Sequence, residues 1–175
     1  EASGYCMRGA LYVRCPGVTP DKFTCSTKGH IIEFVSRSQR RVVRSTFTAE
    51  LSGVCDTQDK GFLMAQMMHE CATGETSGVI ARKLSEQGGY ACPMVLYLDA
   101  MSVYAAVTAT FIKTPADNSA LFSLRYVREL LDKYIVSAIC WTDTRDMLAD
   151  GLTKGTVDRL ALHALMNGII TVEHA

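Results

Sequence analysis

The sequence predicts a mixed α/β fold: a sheet of parallel and antiparallel strands with helices packed on its faces. Three observations predict it. Two short stretches rich in β-branched and aromatic residues, RGALYVR (8–14) and HIIEFVS (30–36), open the chain. A long stretch of helical periodicity then runs from Thr46 to about Glu75. Beyond it, PMVLYL (93–98) is a nearly continuous apolar run without alternation, the pattern of a central strand covered on both faces. The 175 residues fit one domain, 1–175, with its core over about 8–155 and a C-terminal helix and tail over 156–175. A hydrophobic content of 48% and a charged content of 21% are ordinary for a soluble globular protein.

Taken in order, strand 8–14 leads into a loop over Cys15–Gly29, marked by Pro16, Gly17, Pro20 and Lys28-Gly29. Strand 30–36 follows, and Arg41 to Arg44 extend it or form a third strand, which suggests an antiparallel meander. Arg37, Arg40, Arg41 and Arg44 cluster near its last turn, as phosphate contacts or as a solvated edge that blocks strand-to-strand association. Ser45 and Thr46 are good N-cap residues for the long helix. Gly53 and Gly61 weaken that helix, so it is expected as one kinked helix or as two. Its methionines read as core filler and His69 as a surface or cap residue.

Glu50 falls three residues after Phe47, one before Leu51 and four before Val54, which sets it on the apolar stripe. A carboxylate there needs an arginine, hydrogen bonds or a metal ion to compensate it, unless it is a rim glutamate paired to an arginine. A short helical piece near Val79–Glu86 precedes the 93–98 strand, which ends on Asp99. That is where open α/β sheets place their active sites, although Asp99 is also a good cap for a helix starting near Met101. Helices over Met101–Phe111 and Asp117–Tyr134 follow, the second with Leu121, Leu124, Val127, Leu130 and Leu131 as its stripe and Arg125, Arg128, Glu129 and Lys133 on its polar face. Ile135–Thr142 is a strand, with Cys140 and Trp141 expected in the core. Met147, Leu148, Ala149 and Leu152 give a short apolar helix around Asp150, whose neighbour Gly151 permits close approach of a backbone or ligand. Thr156 is expected to cap a last helix, which carries a partly buried His163 and stops at Asn167-Gly168.

The seven cysteines are odd in number and form no C-x-x-C pair, so they favour neither zinc nor a disulfide framework. They read as small buried hydrophobes in a reducing compartment. No signal peptide and no membrane-spanning apolar run is evident. Charge is uneven: residues 1–45 hold eight Lys/Arg and three Asp/Glu, net +5, and the remainder holds ten and fifteen, net −5. A basic arm beside an acidic part suits a nucleic-acid enzyme that needs both phosphate contacts and metal ligands.

Three ordered blocks carry a resemblance. SRSQRRVVRSTFTAEL (36–51), PMVLYLDAMS (93–102) and LADGLTKG (148–155) resemble the Ser/basic/Gln–Ala-Glu block, the aspartate-ending strand and the closing Leu-Ala-Asp-x-x-Thr-Lys signature of the RNase H domain in the Pol polyprotein of Ty1/copia-type LTR retrotransposons. KTPADNSALFSLRYVRELL stands where that family has an RTKHID-like segment, which marks a divergent branch. The resemblance implies an RNase H-like mixed sheet and hydrolysis of the RNA strand of an RNA–DNA hybrid. Glu50, Asp99 and Asp150 match the metal-binding and catalytic carboxylates, with two Mg²⁺ ions, or Mn²⁺, as cofactor. Arg37, Arg40, Arg41 and Lys154 become the phosphate-contact candidates. The implied partners are the hybrid and the reverse transcriptase domain of the same polyprotein, without a membrane, in the cytoplasm, the nucleus or a virus-like particle. The family's first strand, with its own metal-binding aspartate, falls before Glu1 on counting back from Gly9, so both are expected to be missing. Two other readings stand beside this one: a non-catalytic RNase H-like module that binds nucleic acid or the reverse transcriptase, and a carboxylate–Mg²⁺ phosphohydrolase on another α/β fold.

Overall fold

A computed structural model describes residues 6–16, 25–39 and 45–172. The expected strand over Arg41–Arg44 lies outside them. The elements are β1 (Met7–Arg14), β2 (Cys25–Lys28), β3 (His30–Ser38), α1 (Thr46–Thr73), α2 (Gly78–Gln87), β4 (Val95–Leu98), α3 (Met101–Thr108), α4 (Ala120–Asp132), β5 (Ala138–Trp141), α5 (Leu160–Met166) and β6 (Ile169–Val172), with 3-10 turns at Thr144–Asp146 and Leu148–Leu152. The chain is α/β. It divides into two compact units, one within 43–141 and one within 1–42 and 142–175. Among the described residues the strands form three two-stranded sheets, β1–β3, β2–β6 and β4–β5, instead of one mixed sheet. No described helix is long and apolar enough to cross a membrane.

In the 43–141 unit, α1 starts where the Ser45 hydroxyl accepts the Thr48 N–H at 3.2 Å. It ends at Gly74, whose left-handed φ of 76° lets its N–H reach the Glu70 carbonyl at 2.8 Å. Gly53 and Gly61 do not split it: α1 is one helix of 28 residues. Leu51, Val54, Gln58, Gly61, Ala65 and His69 recur at three- and four-residue spacing and are buried. α1 packs on α4, whose buried face is Ala120, Leu124, Val127 and Leu130, and on α3 through the fully buried Val103 and Val107. Leu121 and Leu131 of the expected α4 stripe are only half-buried.

Arg128 does more than occupy a polar face. Its Nη1 donates to the carbonyls of Val107 (2.8 Å) and Ala109 (2.5 Å) at the open end of α3, and its Nε donates to Asp132. β4 and β5 pair in parallel from Val95↔Ala138 to Leu98↔Trp141.

Two expectations for α1 are corrected. Met67 is 45% exposed and is not core filler. His69 is buried, because residues 88–91 pass over the end of the helix. Its Nδ1 accepts the Ala91 N–H at 3.1 Å, and its ring stands edge-on to Tyr90 with centroids 6.3 Å apart.

In the other unit, β1 and β3 pair antiparallel from Met7↔Ser38 to Arg14↔His30, with a register irregularity at Tyr12/Val13. β2 lies where a loop was expected. It pairs antiparallel with β6, which lies in the expected tail, and the Gly29 N–H donates to the Gly168 carbonyl at 2.9 Å. α5 opens at Leu160, not at Thr156, because Asp158 Oδ1 accepts the Leu160 N–H at 2.9 Å. It stops at Asn167-Gly168 as expected, with Gly168 at φ 86°. His163 is exposed, not partly buried. The cysteines also depart from expectation: of those whose burial is described only Cys140 is buried, and Cys6 and Cys71 are exposed.

Two predictions concern the 43–141 unit. Gln58 is 1% exposed, and neither its amide nitrogen nor its oxygen finds a partner among the described residues. A buried orphan amide costs about 1–3 kcal/mol, so Gln58→Met, close in volume, is expected to raise the urea midpoint. A lowered midpoint would show that the amide is satisfied in solution by a buried water. Separately, the Tyr126 hydroxyl donates to Asp59 Oδ1 at 2.7 Å, and burial together with the Asp59 carboxylate pushes the phenol well above its ordinary value. A group harder to ionise in the folded chain contributes stability that is complete below the unfolded pKa of about 10 and is lost as pH rises beyond it. Urea midpoints taken across that range should fall less steeply for Tyr126→Phe than for the parent chain.

Candidate functional site

Asp99 stands immediately beyond the carboxyl end of β4. The parallel partner fixes it from one side: Leu98 faces Trp141 in register, and the Trp141 indole N–H donates to the Asp99 carbonyl at 3.1 Å. The N-cap of α3 is Ala100, whose carbonyl accepts from Val103 and Tyr104. The N-cap position of α3 is thus Ala100, and Asp99 stands one residue before it. Its side chain is half-buried.

Glu50 lies in the second turn of α1, but not on its apolar stripe. The buried residues centre roughly 70° round the helix from it, at 100° per residue. Glu50 is accordingly exposed, and its placement raises no burial cost. A mostly apolar pocket of about 380 Å³ lies at the start of α1, lined by Phe47, Ala106, Lys113, Pro115 and Leu124 among others; Glu50 and Asp99 do not line it.

Asp150 belongs to the other unit. It sits in the Leu148–Leu152 turn, is 8% exposed, and accepts from Lys154 Nζ at 2.6 Å on Oδ2. The Lys154 backbone N–H also donates to the Asp150 carbonyl, at 2.9 Å. Lys154 is thus the counter-ion of Asp150, a role the sequence pattern of Lys four after Asp left unassigned.

The turn is seated on the β1–β3 pair. A Cβ on Gly9 would stand 2.6 Å from the Ala149 carbonyl oxygen and 2.9 Å from Thr153 Cγ2. Ser36, opposite Gly9 in register, donates its hydroxyl to the Leu152 carbonyl at 2.7 Å. On the far side, Arg159 Nε donates to the Gly151 carbonyl at 3.0 Å, and Gly151 meets Leu162 of α5. The close approach expected at Gly151 is therefore to a helix of this chain. Gly9 and Ser36 are the positioning residues that sequence reading missed; the only signal was an isolated glycine inside a strand.

Of the arginines, Arg40, Arg41 and Arg44 lie outside the described residues. Arg37 is exposed on β3 and directly opposite Arg8, which is buried. Directly opposite residues share a face, and the neighbouring Gly9–Ser36 pair faces the Asp150 turn. Arg37 and Arg8 thus belong to the face turned away from Lys154, and the structure does not bring Arg37 and Lys154 together on one face.

All three candidate carboxylates offer the oxygen donors that a hard divalent cation takes. Glu50 and Asp99 fall in one unit and Asp150 in the other. Among the described residues, no group of three or more His, Cys, Asp or Glu side chains is placed to hold a metal ion. Compared with models of known families, with curated proteins and with solved structures, the chain matches none.

The seating of the Asp150 turn is testable. Gly9→Ala is expected to destabilise the chain by about 1–3 kcal/mol, since backbone oxygen on one side and Thr153 on the other leave no room for a methyl group. Gly155→Ala, with nothing within 4 Å of its added Cβ, serves as the neutral control. Equal urea midpoints for the two variants would remove the close approach.

Proposed function

We propose that the chain is an RNase H-like ribonuclease module of a retrotransposon reverse transcriptase, hydrolysing the RNA strand of an RNA–DNA hybrid. The observation that carries this reading is the place of Asp99: at the carboxyl end of a strand in a parallel pair, its backbone carbonyl held by the Trp141 indole. The three resembling sequence blocks support it, and they give Glu50 and Asp150 as the further carboxylates. The exposed Lys154 is suited to a backbone phosphate, which carries no sequence information and fixes only the register of the duplex, whereas Arg37 lies on the opposite face of the β1–β3 pair. Mg²⁺ or Mn²⁺ is the cofactor this reading requires; when bound it would supply an activated water and stabilise the leaving oxygen. With the reading come an intracellular location and the reverse transcriptase domain as partner.

A second reading, a non-catalytic module that binds nucleic acid or the reverse transcriptase, is favoured by one specific contact. The Asp150 carboxylate is already neutralised by Lys154 at 2.6 Å. The two readings separate in one experiment on a labelled RNA–DNA hybrid with Mg²⁺. The ribonuclease reading expects cleavage by a form extended upstream to include a first-strand aspartate, and a loss of at least about 100-fold when Asp99→Asn, which keeps the side-chain volume and removes the charge, is made in that form. Undiminished cleavage by that variant would take Asp99 out of the mechanism. Hybrid binding without cleavage by either protein would make the binding module the better reading.

A further inference from the structure

We infer that the pocket at the start of α1 is a binding site for a small aromatic acid, whose ring its apolar walls take and whose single anionic group the Lys113 ammonium takes. The inference is independent of the ribonuclease reading: neither Glu50 nor Asp99 lines the pocket, and all of its lining lies within the 43–141 unit.

The walls come from three helices and one connection. Phe47 stands in the first turn of α1, Ala106 on α3 and Leu124 on α4, and Pro115 belongs to the segment between α3 and α4. Leu124 is part of the buried core and Phe47 and Ala106 pack against it, so the helix packing of the unit sets these walls. The connection is tied down as well. Asp117 Oδ2 accepts the Thr48 hydroxyl at 3.3 Å, and Oδ1 accepts the Ser119 N–H and hydroxyl at 3.0 and 2.7 Å. The resulting space of about 380 Å³ falls in the range, roughly 300–1,000 Å³, in which proteins hold small molecules.

Two charged side chains line the pocket, Lys113 and Asp117, and they differ in commitment. Asp117 is answered by the three donors just named. Among the described residues, Lys113 has no hydrogen bond and no ion pair. Its ammonium is therefore the charge a ligand can answer, and a charge-assisted hydrogen bond beside apolar walls is stronger than one in open water. An ammonium is a point charge and takes one anionic group; a second would meet the Asp117 carboxylate. The Phe47 ring and the apolar walls reward a flat apolar body, which an inorganic anion lacks.

The test is fluorescence titration of the whole chain with two probes that share a ring skeleton, 1-anilinonaphthalene-8-sulfonate and the uncharged N-phenyl-1-naphthylamine. It is run on the parent, on Lys113→Met and on Lys83→Met, which removes an exposed lysine of α2 that does not line the pocket. The expected result is one saturable site. Lys113→Met binds the sulfonate about tenfold more weakly than the parent or Lys83→Met, and all three bind the uncharged probe alike. Ala106→Phe, which adds a ring to the wall, is expected to weaken both probes; where that variant loses its cooperative urea transition, the two lysine variants still decide. Equal sulfonate affinities for Lys113→Met and Lys83→Met would overturn the inference, and so would unchanged binding of both probes by a folded Ala106→Phe. No saturable binding of either probe would overturn it as well. Displacement of the sulfonate by inorganic phosphate as readily as by 1-naphthoate would reduce the site to a general anion contact and remove the aromatic acid.

Discussion

A helix has one side to bury, and in the 43–141 unit that constraint decides most of the rest. α1 commits its buried side to Leu51, Val54, Gln58, Gly61, Ala65 and His69, and α4 and α3 pack against it with Leu124, Val127, Val103 and Val107. Once that stripe is fixed, the 3.6-residue period assigns a direction to most other residues of α1; Thr48 and Ala49, buried in its first turn, lie off the stripe. Glu50 is sent outward and Met67 with it. Gln58 is sent inward although nothing described satisfies it. Burial of apolar area is non-directional, so a polar residue that falls on the stripe is carried along with its neighbours.

The same constraint explains what was legible in the sequence. α4 was read nearly to its ends because its apolar residues recur over three turns and its buried face follows from spacing alone. β4 was read because VLYL is unbroken and the chain around it breaks. The Ser45 cap was read because hydroxyl capping is local chemistry. β2 and β6 were not legible. CSTK and IITV are four residues each, too short for a period, and among the described residues pair only with one another, across more than a hundred residues of chain. His69 was misjudged for a related reason: its burial depends on residues 88–91, which carry no pattern that aims them at α1. Glu50 was misplaced because Phe47, Leu51 and Val54 flank the edge of the stripe as closely as its centre.

The candidate carboxylates divide along the same line. Asp99 was legible by position, since it directly follows the strand, although β4 is half-buried and not the strand covered on both faces that its apolar run predicts; the Trp141 indole gives that position a fixed geometry. Asp150 was legible as a residue but not as an environment. Nothing in LADGLTKG says that the turn is pressed onto a glycine of β1 and bonded to a serine of β3. Long-range seating of this kind, by one missing side chain and one hydroxyl, leaves no periodic trace.

The burial of Asp150 has a consequence for any chemistry assigned to it. A carboxylate withdrawn from water must have its charge answered in every state of the protein, with or without a ligand. Lys154 answers it from within the same turn, at 2.6 Å, which lets the turn fold without an external cation. The same contact sets the folded turn and cation binding in competition for one oxygen pair. A divalent ion binding there would have to displace that ammonium, and the loss of the pair counts against it. A second anion able to hold the displaced ammonium would lower that cost, and a nucleic-acid backbone presents such anions at every nucleotide.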